Sequence, residues 1–234
     1  MLVGPGVLGH LDGLHTLAAR LGVPVINTWG AKGAFRWDDP FHGGTAGLQA
    51  RDFELAGLGD VDRLLTSGLD PAEVTTTPWA GRAEVTDIAP SELASFAASW
   101  PHPPGRPARP RLYTDLAAVI GPLYDDPRSP ASRVRAMSRE LPADGIVCAP
   151  PGLVGFWVAR TWTTTVPGSV VVPARREDGL TERLAREAAA SGRPTMLVTD
   201  APATIEGVDV VVWDGDLAIP QAVLEVAGPL VAWT

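Results

Sequence analysis

The chain reads as an α/β protein with Rossmann-like parallel sheets and flanking helices, organised as two small α/β units. Three observations predict this. Short apolar runs alternate with helical patterns from the first residue, as right-handed parallel units require. A proline-dense stretch, Ser99 to Arg111, interrupts that rhythm once, and the rhythm then resumes to Gly215.

The first unit, 1–98, opens with MLVGP as a strand. LDGLHTLAARLG follows as an amphipathic helix closed by Gly22, then VPVINTW as a second strand. ARDFELAGLGD is expected to form a helix with Leu55 and Leu58 on its inner face, RLLTSG a third strand and AEVTDIA a fourth. The residues between Trp29 and Gly47 read as a loop. SWPHPPGRPARPR, 99–111, is a linker of polyproline character, because its prolines remove amide donors and bias preceding residues to extended backbone.

The second unit, 112–234, begins with the helix LYTDLAAVIGPLY and the helix SPASRVRAMSREL, with Ser129 or Ser132 placed to cap the latter. GIVCAP, SVVVPA, PTMLVTD and DVVVWDG read as strands; GLVGFWVARTW and LTERLAREAAASG, ending at Gly192, read as helices. Cys148, the single cysteine, is expected as a small buried hydrophobe at a strand end. Trp157 and Trp162 are expected in a core or a subunit interface.

Composition narrows the function classes. The 234 residues carry a formal net charge of -8 without a basic run, which argues against nucleic acid as a partner. No apolar run is long enough to span a bilayer and no signal-peptide pattern opens the chain, so a soluble cytoplasmic protein with no membrane partner is expected. One cysteine excludes an intrachain disulfide. The four histidines show no HExxH or HxxxH spacing and no serine sits in GxSxG, so zinc hydrolysis and nucleophile-elbow chemistry lack support. Lys32 is the only lysine.

The order of several short motifs is more specific. Val3 to Val7 forms a strand with a Gly-rich turn, and Pro24 to Thr28 a second strand. Lys32, Gly33, Ala34, Phe35, Asp39, Pro40, Gly43, Gly44 and Gly47 make a "KGAF, acidic, Pro, Gly, Gly" run; Arg63 to Asp70 and Val85 to Pro90 follow. This order resembles the central domain of thiamine-diphosphate-dependent enzymes, most closely the acetolactate synthase group. In the second half, ELPADGIVCAPPGLVGFWVARTW, PGSVVVPA and GRPTMLVTDAP resemble the start of the diphosphate-binding domain in the same enzymes.

The resemblance implies thiamine diphosphate and Mg2+ as cofactors, with FAD or ADP as alternatives in the central domain. It also implies an activating glutamate from a pyrimidine-binding domain, which is expected to be missing here. Where relatives read Gly-Asp-Gly, this chain reads Thr199, Asp200, Ala201, Pro202, and the helix before the next strand is expected to be deleted. Asp200, Asp214 and Asp216 are either hard-cation ligands or turn residues at strand ends.

VGPGV is either a phosphate cradle or a tight turn; Pro5 supplies no donor. If a dinucleotide binds, Gly4, Gly6, Trp29, Gly47, Gly68 and Asp87 are the expected crevice residues, with Arg36 and Arg51 on its phosphates. SGLDPAEV lacks the arginines of the flavin-binding loop, which disfavours FAD. The expected function is a non-catalytic nucleotide-binding or structural homologue. The alternatives are one subunit of a split lyase or transferase whose partner chain supplies the pyrimidine-binding domain, and a small-molecule sensor. Self-association to a homo-oligomer is expected through FWVARTW and VLEVAGPLVAWT.

Overall fold

A computed structural model describes residues 1–74, 76–100 and 107–233. The prolines at 101, 103 and 104 and His102, within the expected linker, lie outside the described residues. Five parallel strands form the first sheet: β1 (Leu2–Val3), β2 (Val25–Thr28), β3 (His42–Ala46), β4 (Arg63–Ser67) and β5 (Glu84–Asp87), in the order β3-β2-β1-β4-β5. Four parallel strands form the second: β6 (Ile146–Cys148), β7 (Val170–Val171), β8 (Thr195–Thr199) and β9 (Asp209–Val212), in the order β7-β6-β8-β9. The α/β class and its parallel sheets are as the sequence predicts.

Helices are α1 (Leu11–Leu21), α2 (Asp52–Leu55), α3 (Leu93–Ser99), α4 (Arg111–Ile120), α5 (Pro130–Glu140), α6 (Leu153–Thr161), α7 (Leu180–Ala190) and α8 (Gln221–Ala227). Side-chain alternation along the strands sorts them into layers. Met1, Val3 and Val25 turn to α1 and α3; Leu2, Ile26 and Leu64 turn the other way. In the second sheet, Ile146, Cys148 and Leu197 face Ala185 of α7, while Val147, Met196 and Val198 face inward. The inward faces share one continuous core with α2, α4, α5, α6 and α8. The layers therefore run helices, sheet, helices, sheet, helix.

Local chemistry explains most ends. Gly22 adopts a left-handed conformation (φ 66°) and closes α1 as expected. The Ser129 side chain accepts the Ser132 amide at 3.0 Å, so Ser129 is the cap of α5. Cys148 is buried, and burial pushes its thiol up to about 12.

Three expectations need correction. His42–Ala46 is an edge strand, not loop: Val25 pairs with His42 but Asn27 with Thr45, so Gly43 and Gly44 bulge out of register. Gly44, at φ 109°, lets the backbone bend there, and Leu112 of α4 packs against it. Second, the helix expected over 50–60 shrinks to α2, because Gly57 turns the chain at φ 73°. Third, α4 stops at Ile120, where a 3-10 turn over Gly121–Asp125 replaces its last turn. Two further helices, α3 and α8, lie where the sequence reading placed none. Between β8 and β9 the chain crosses without a helix, as expected.

Candidate functional site

The ends of β1 and β4 are packed against each other. The Gly4 amide donates to Ser67 O and the Gly6 amide to Gly68 O, both at 3.0 Å. A Cβ on Gly4 would overlap the Gly68 carbonyl and Leu69, and one on Gly6 would come within 2.8 Å of Gly68 Cα. These glycines bring two loops into backbone contact, and their amides are spent inside the protein rather than aimed at an anion.

The other expected crevice residues are placed as follows. Trp29 is fully buried, with the ring of Trp233 edge-on at 5.2 Å. Gly47 lies against that Trp29 ring and the Glu73 carbonyl. Asp87 is exposed and accepts the Thr66 hydroxyl at 2.7 Å. Arg36 pairs with Asp38, and Arg51 pairs with Glu54 while reaching Glu225 O. These residues do not converge on a common space.

Two segments fill the place of a ligand. The Glu73 carboxylate sits over Gly30, whose amide donates to it at 3.2 Å; burial pushes this acid up to about 7. Residues 227–232 run along the loop after β3. Arg51 N donates to Ala227 O, Ala50 N to Pro229 O, and Val231 N to Leu48 O, and Gln49 Nε2 donates to Gly228 O.

The diphosphate and metal residues fare no better. Asp200 is exposed, and Asp214 is exposed and paired with Arg133, whose guanidinium also lies 4.7 Å from the Trp213 ring centre. Asp216 accepts its own turn's amide from Ala218. Among the described residues no three His, Cys, Asp or Glu side chains come together as a metal would need. With alanine and proline following Asp200 in addition, these side chains do not fit a Mg2+ diphosphate site.

None of these residues lines the hollow of about 440 Å3 between residues 8–13 and Pro90, Ser91 and Ala94, and none lines the aromatic cavity on the other side of the unit. The latter, of about 350 Å3, opens between the first sheet's edge strand β3, helices α4 and α5, and the end of α6. Its body is apolar and aromatic: Trp37, Leu112, Leu116, Ile120 and Trp162, with the rings of Tyr113 and Tyr124. Its basic groups are Lys32, His42, Arg135 and Arg160, and Thr45, Thr161 and Thr163 add hydroxyls.

Lys32 follows the 3-10 turn Trp29–Ala31 at the end of β2, its amide bonded to Trp29 O. It is only 5% exposed, yet among the described residues no carboxylate pairs with it. Burial, reinforced by the nearby charge of Arg160, lowers its amine to about 7. His42 begins β3; burial first, then the charges of Lys32 and Arg109, lower it to about 3, so its imidazole is neutral. Its Nδ1 is buried without a hydrogen-bond partner. Arg135 of α5 lies over the Tyr124 ring at 4.8 Å and has no ion pair among the described residues.

Arg160 is held differently. It is the one charge in the apolar helix α6, and it crosses into the first unit. One terminal nitrogen donates to Thr45 O at 2.7 Å, and the other to both Asp52 carboxylate oxygens at 2.8 Å and to Gln49 Oε1 at 3.2 Å. Asp52, fully buried, also accepts the Leu48 and Gln49 amides at 2.9 Å. Burial pushes the Asp52 carboxyl up, against the pull of Arg160 and the two amides. Arg160 therefore fastens the units together and leaves its charge beside the cavity, while Lys32 stays uncompensated.

Sequence reasoning singled out Lys32 as the lone lysine and His42 as a loop residue, and missed the cavity. The available signal was the pair of oddities: one lysine in a chain otherwise using arginine, and one arginine in LVGFWVART.

No curated protein matches the chain. Residues 1–96 match the family model described as thiamine pyrophosphate enzyme, central domain, the span that holds the first sheet, α1 and Lys32. Residues 1–96 thus match a central domain of the thiamine-diphosphate-dependent enzyme family.

Proposed function

We propose that this chain is a non-catalytic binding module of that family, and that the cavity between its units takes a small organic anion with an apolar body. The observation that carries the reading is Lys32: a buried amine without a counter-charge, lining an aromatic cavity. A buried cation is costly unless paired. A ligand carboxylate would supply the missing charge, Arg135 would meet a second polar end, and the aromatic walls would cover the body. The strand-end crevice, closed by its own glycines, Glu73 and residues 227–232, supports neither FAD nor ADP as the ligand.

Titration calorimetry of the purified chain tests this, with phenylacetate and octanoate set against the corresponding alcohols, and with thiamine diphosphate plus Mg2+, FAD and ADP in parallel. The carboxylates are expected to bind and the alcohols not. Above pH 7, binding is expected to take up a proton, because an anion beside Lys32 restores its charge; the enthalpy then varies with the buffer's ionisation enthalpy. Equal binding of acids and alcohols would overturn the reading. Mg2+-dependent binding of thiamine diphosphate would instead favour one subunit of a split enzyme.

A further inference from the structure

We propose that Lys32 is a covalent capture site: its Nζ adds to an aldehyde or ketone held in the cavity and forms an imine. This rests on the cavity being a ligand site, and it specifies what the ligand carries besides its acid group. The amine is placed for it on geometric grounds. Lys32 is fixed at its base by the Trp29–Ala31 turn and by Gly33, which at φ 89° returns the chain into the core. Its side chain lines the cavity, and among the described residues no acid holds the nitrogen back. Leu112, Leu116, Ile120 and Trp162 form an apolar surround, the setting that keeps an amine unprotonated and nucleophilic. The lowering to about 7 agrees: near neutral pH a large share of Lys32 is free amine.

The step balances without an oxidant or reductant. The nitrogen lone pair forms a bond to the carbonyl carbon, the C=O π pair moves to oxygen, and a proton passes from nitrogen to that oxygen to give the carbinolamine. Loss of water then leaves C=N, so that amine plus carbonyl gives imine plus water. The carbonyl then takes the Lys32 end of the cavity, where the carboxylate of a simple acid would otherwise pair, and an acid group at the ligand's other end would face Arg135, whose guanidinium has no ion pair of its own among the described residues.

The test uses the whole chain with 4-carboxybenzaldehyde and sodium borohydride at pH 7, read by intact mass and peptide mapping. Because the sequence has one lysine, side-chain trapping can occur at Lys32 alone. The amino terminus, buried and donating to Pro24 O, is the other amine and is resolved by the peptide map. The expected result is one adduct, the aldehyde less one oxygen, on the Lys32 peptide. It should form at least about tenfold faster than in the urea-unfolded chain, where the amine is protonated, and excess 4-carboxybenzyl alcohol or benzoate should slow it. Lys32→Met should lose the adduct while melting cooperatively.

Trapping no faster than in the unfolded chain, or only at the amino terminus, would overturn the imine. If benzoate still binds by calorimetry in that case, the binding reading survives without covalent capture. If neither benzoate nor the aldehyde engages the native protein, both fall.

Discussion

The strand ends of the first sheet and the cavity beside its edge strand are built from the same short stretch of chain, yet they have opposite chemistry. At the ends of β1 to β4 the space is filled: glycine meets glycine, Glu73 covers Gly30, and residues 227–232 lie along the β3 loop. At the cavity the space is open, and its charge is one-sided. The two meet at the β2 and β3 ends, where Trp29 faces inward to the packed side and Lys32, three residues on, faces the open one. The unit that matches the central domain thus has an aromatic, ligand-sized space at its junction with the second unit.

The largest effect should come from breaking the link between the two regions. Arg160→Met leaves the Asp52 carboxylate buried without its partner and should destabilise the chain by about 3–5 kcal/mol in urea unfolding. The double change Asp52→Leu with Arg160→Met should recover a large part of that loss. If the single change is neutral, the clamp does not hold the units together.

Lys32 and Glu73 give the two regions opposite pH signatures. Lys32 is lowered to about 7 from 10.5, so between those values the unfolded chain binds more protons and stability rises with pH. Below pH 7 the ammonium is charged and unpaired, at a cost on the order of a few kcal/mol. Lys32→Met should therefore stabilise the ligand-free protein by about 2 kcal/mol or more at pH 6, an advantage that shrinks by pH 10. Equal midpoints at pH 6 would show that the amine is not desolvated.

Glu73 is raised to about 7 from 4.5, so between those values the folded chain binds more protons and stability falls as pH rises. Glu73→Gln keeps an oxygen for the Gly30 amide and should remove about 2–3 kcal/mol of that fall, read as converging urea midpoints at pH 5 and pH 8. An unchanged slope would place the carboxylate in contact with water. The smallest effect belongs to Arg36→Gln and Arg51→Gln. Their exposed ion pairs contribute little, so the melting temperature should not move, and neither change should alter carboxylate binding. A loss of binding in either variant would return the ligand to the crevice.

Much of the fold was legible because burial on both faces of a parallel strand leaves an apolar run, as in Ile146–Cys148 and Thr195–Thr199. His42–Ala46 carries no such run. Its two glycines read as turn, and it is a strand only because Val25–Thr28 on one side and α4 across its face position it. The site was less legible for a related reason. Glycines at strand ends suit a phosphate cradle and a backbone crossing equally, and only the partners of their amides distinguish the two. Trp157 and Trp162, expected in a core or a subunit interface, are buried in the chain's own core together with Phe156, Val223 and Ala227.

The loop from Thr45 to Asp52 also has a kinetic consequence. It receives Arg160 from 108 residues away at Asp52 and Gly228 from 179 residues away at Gln49. Contacts so distant along the chain must be brought together against loop-closure entropy before they stabilise anything. Refolding after dilution from urea should accordingly be slow for a protein of this size, and the first sheet should not gain full protection against amide hydrogen exchange before the second has docked.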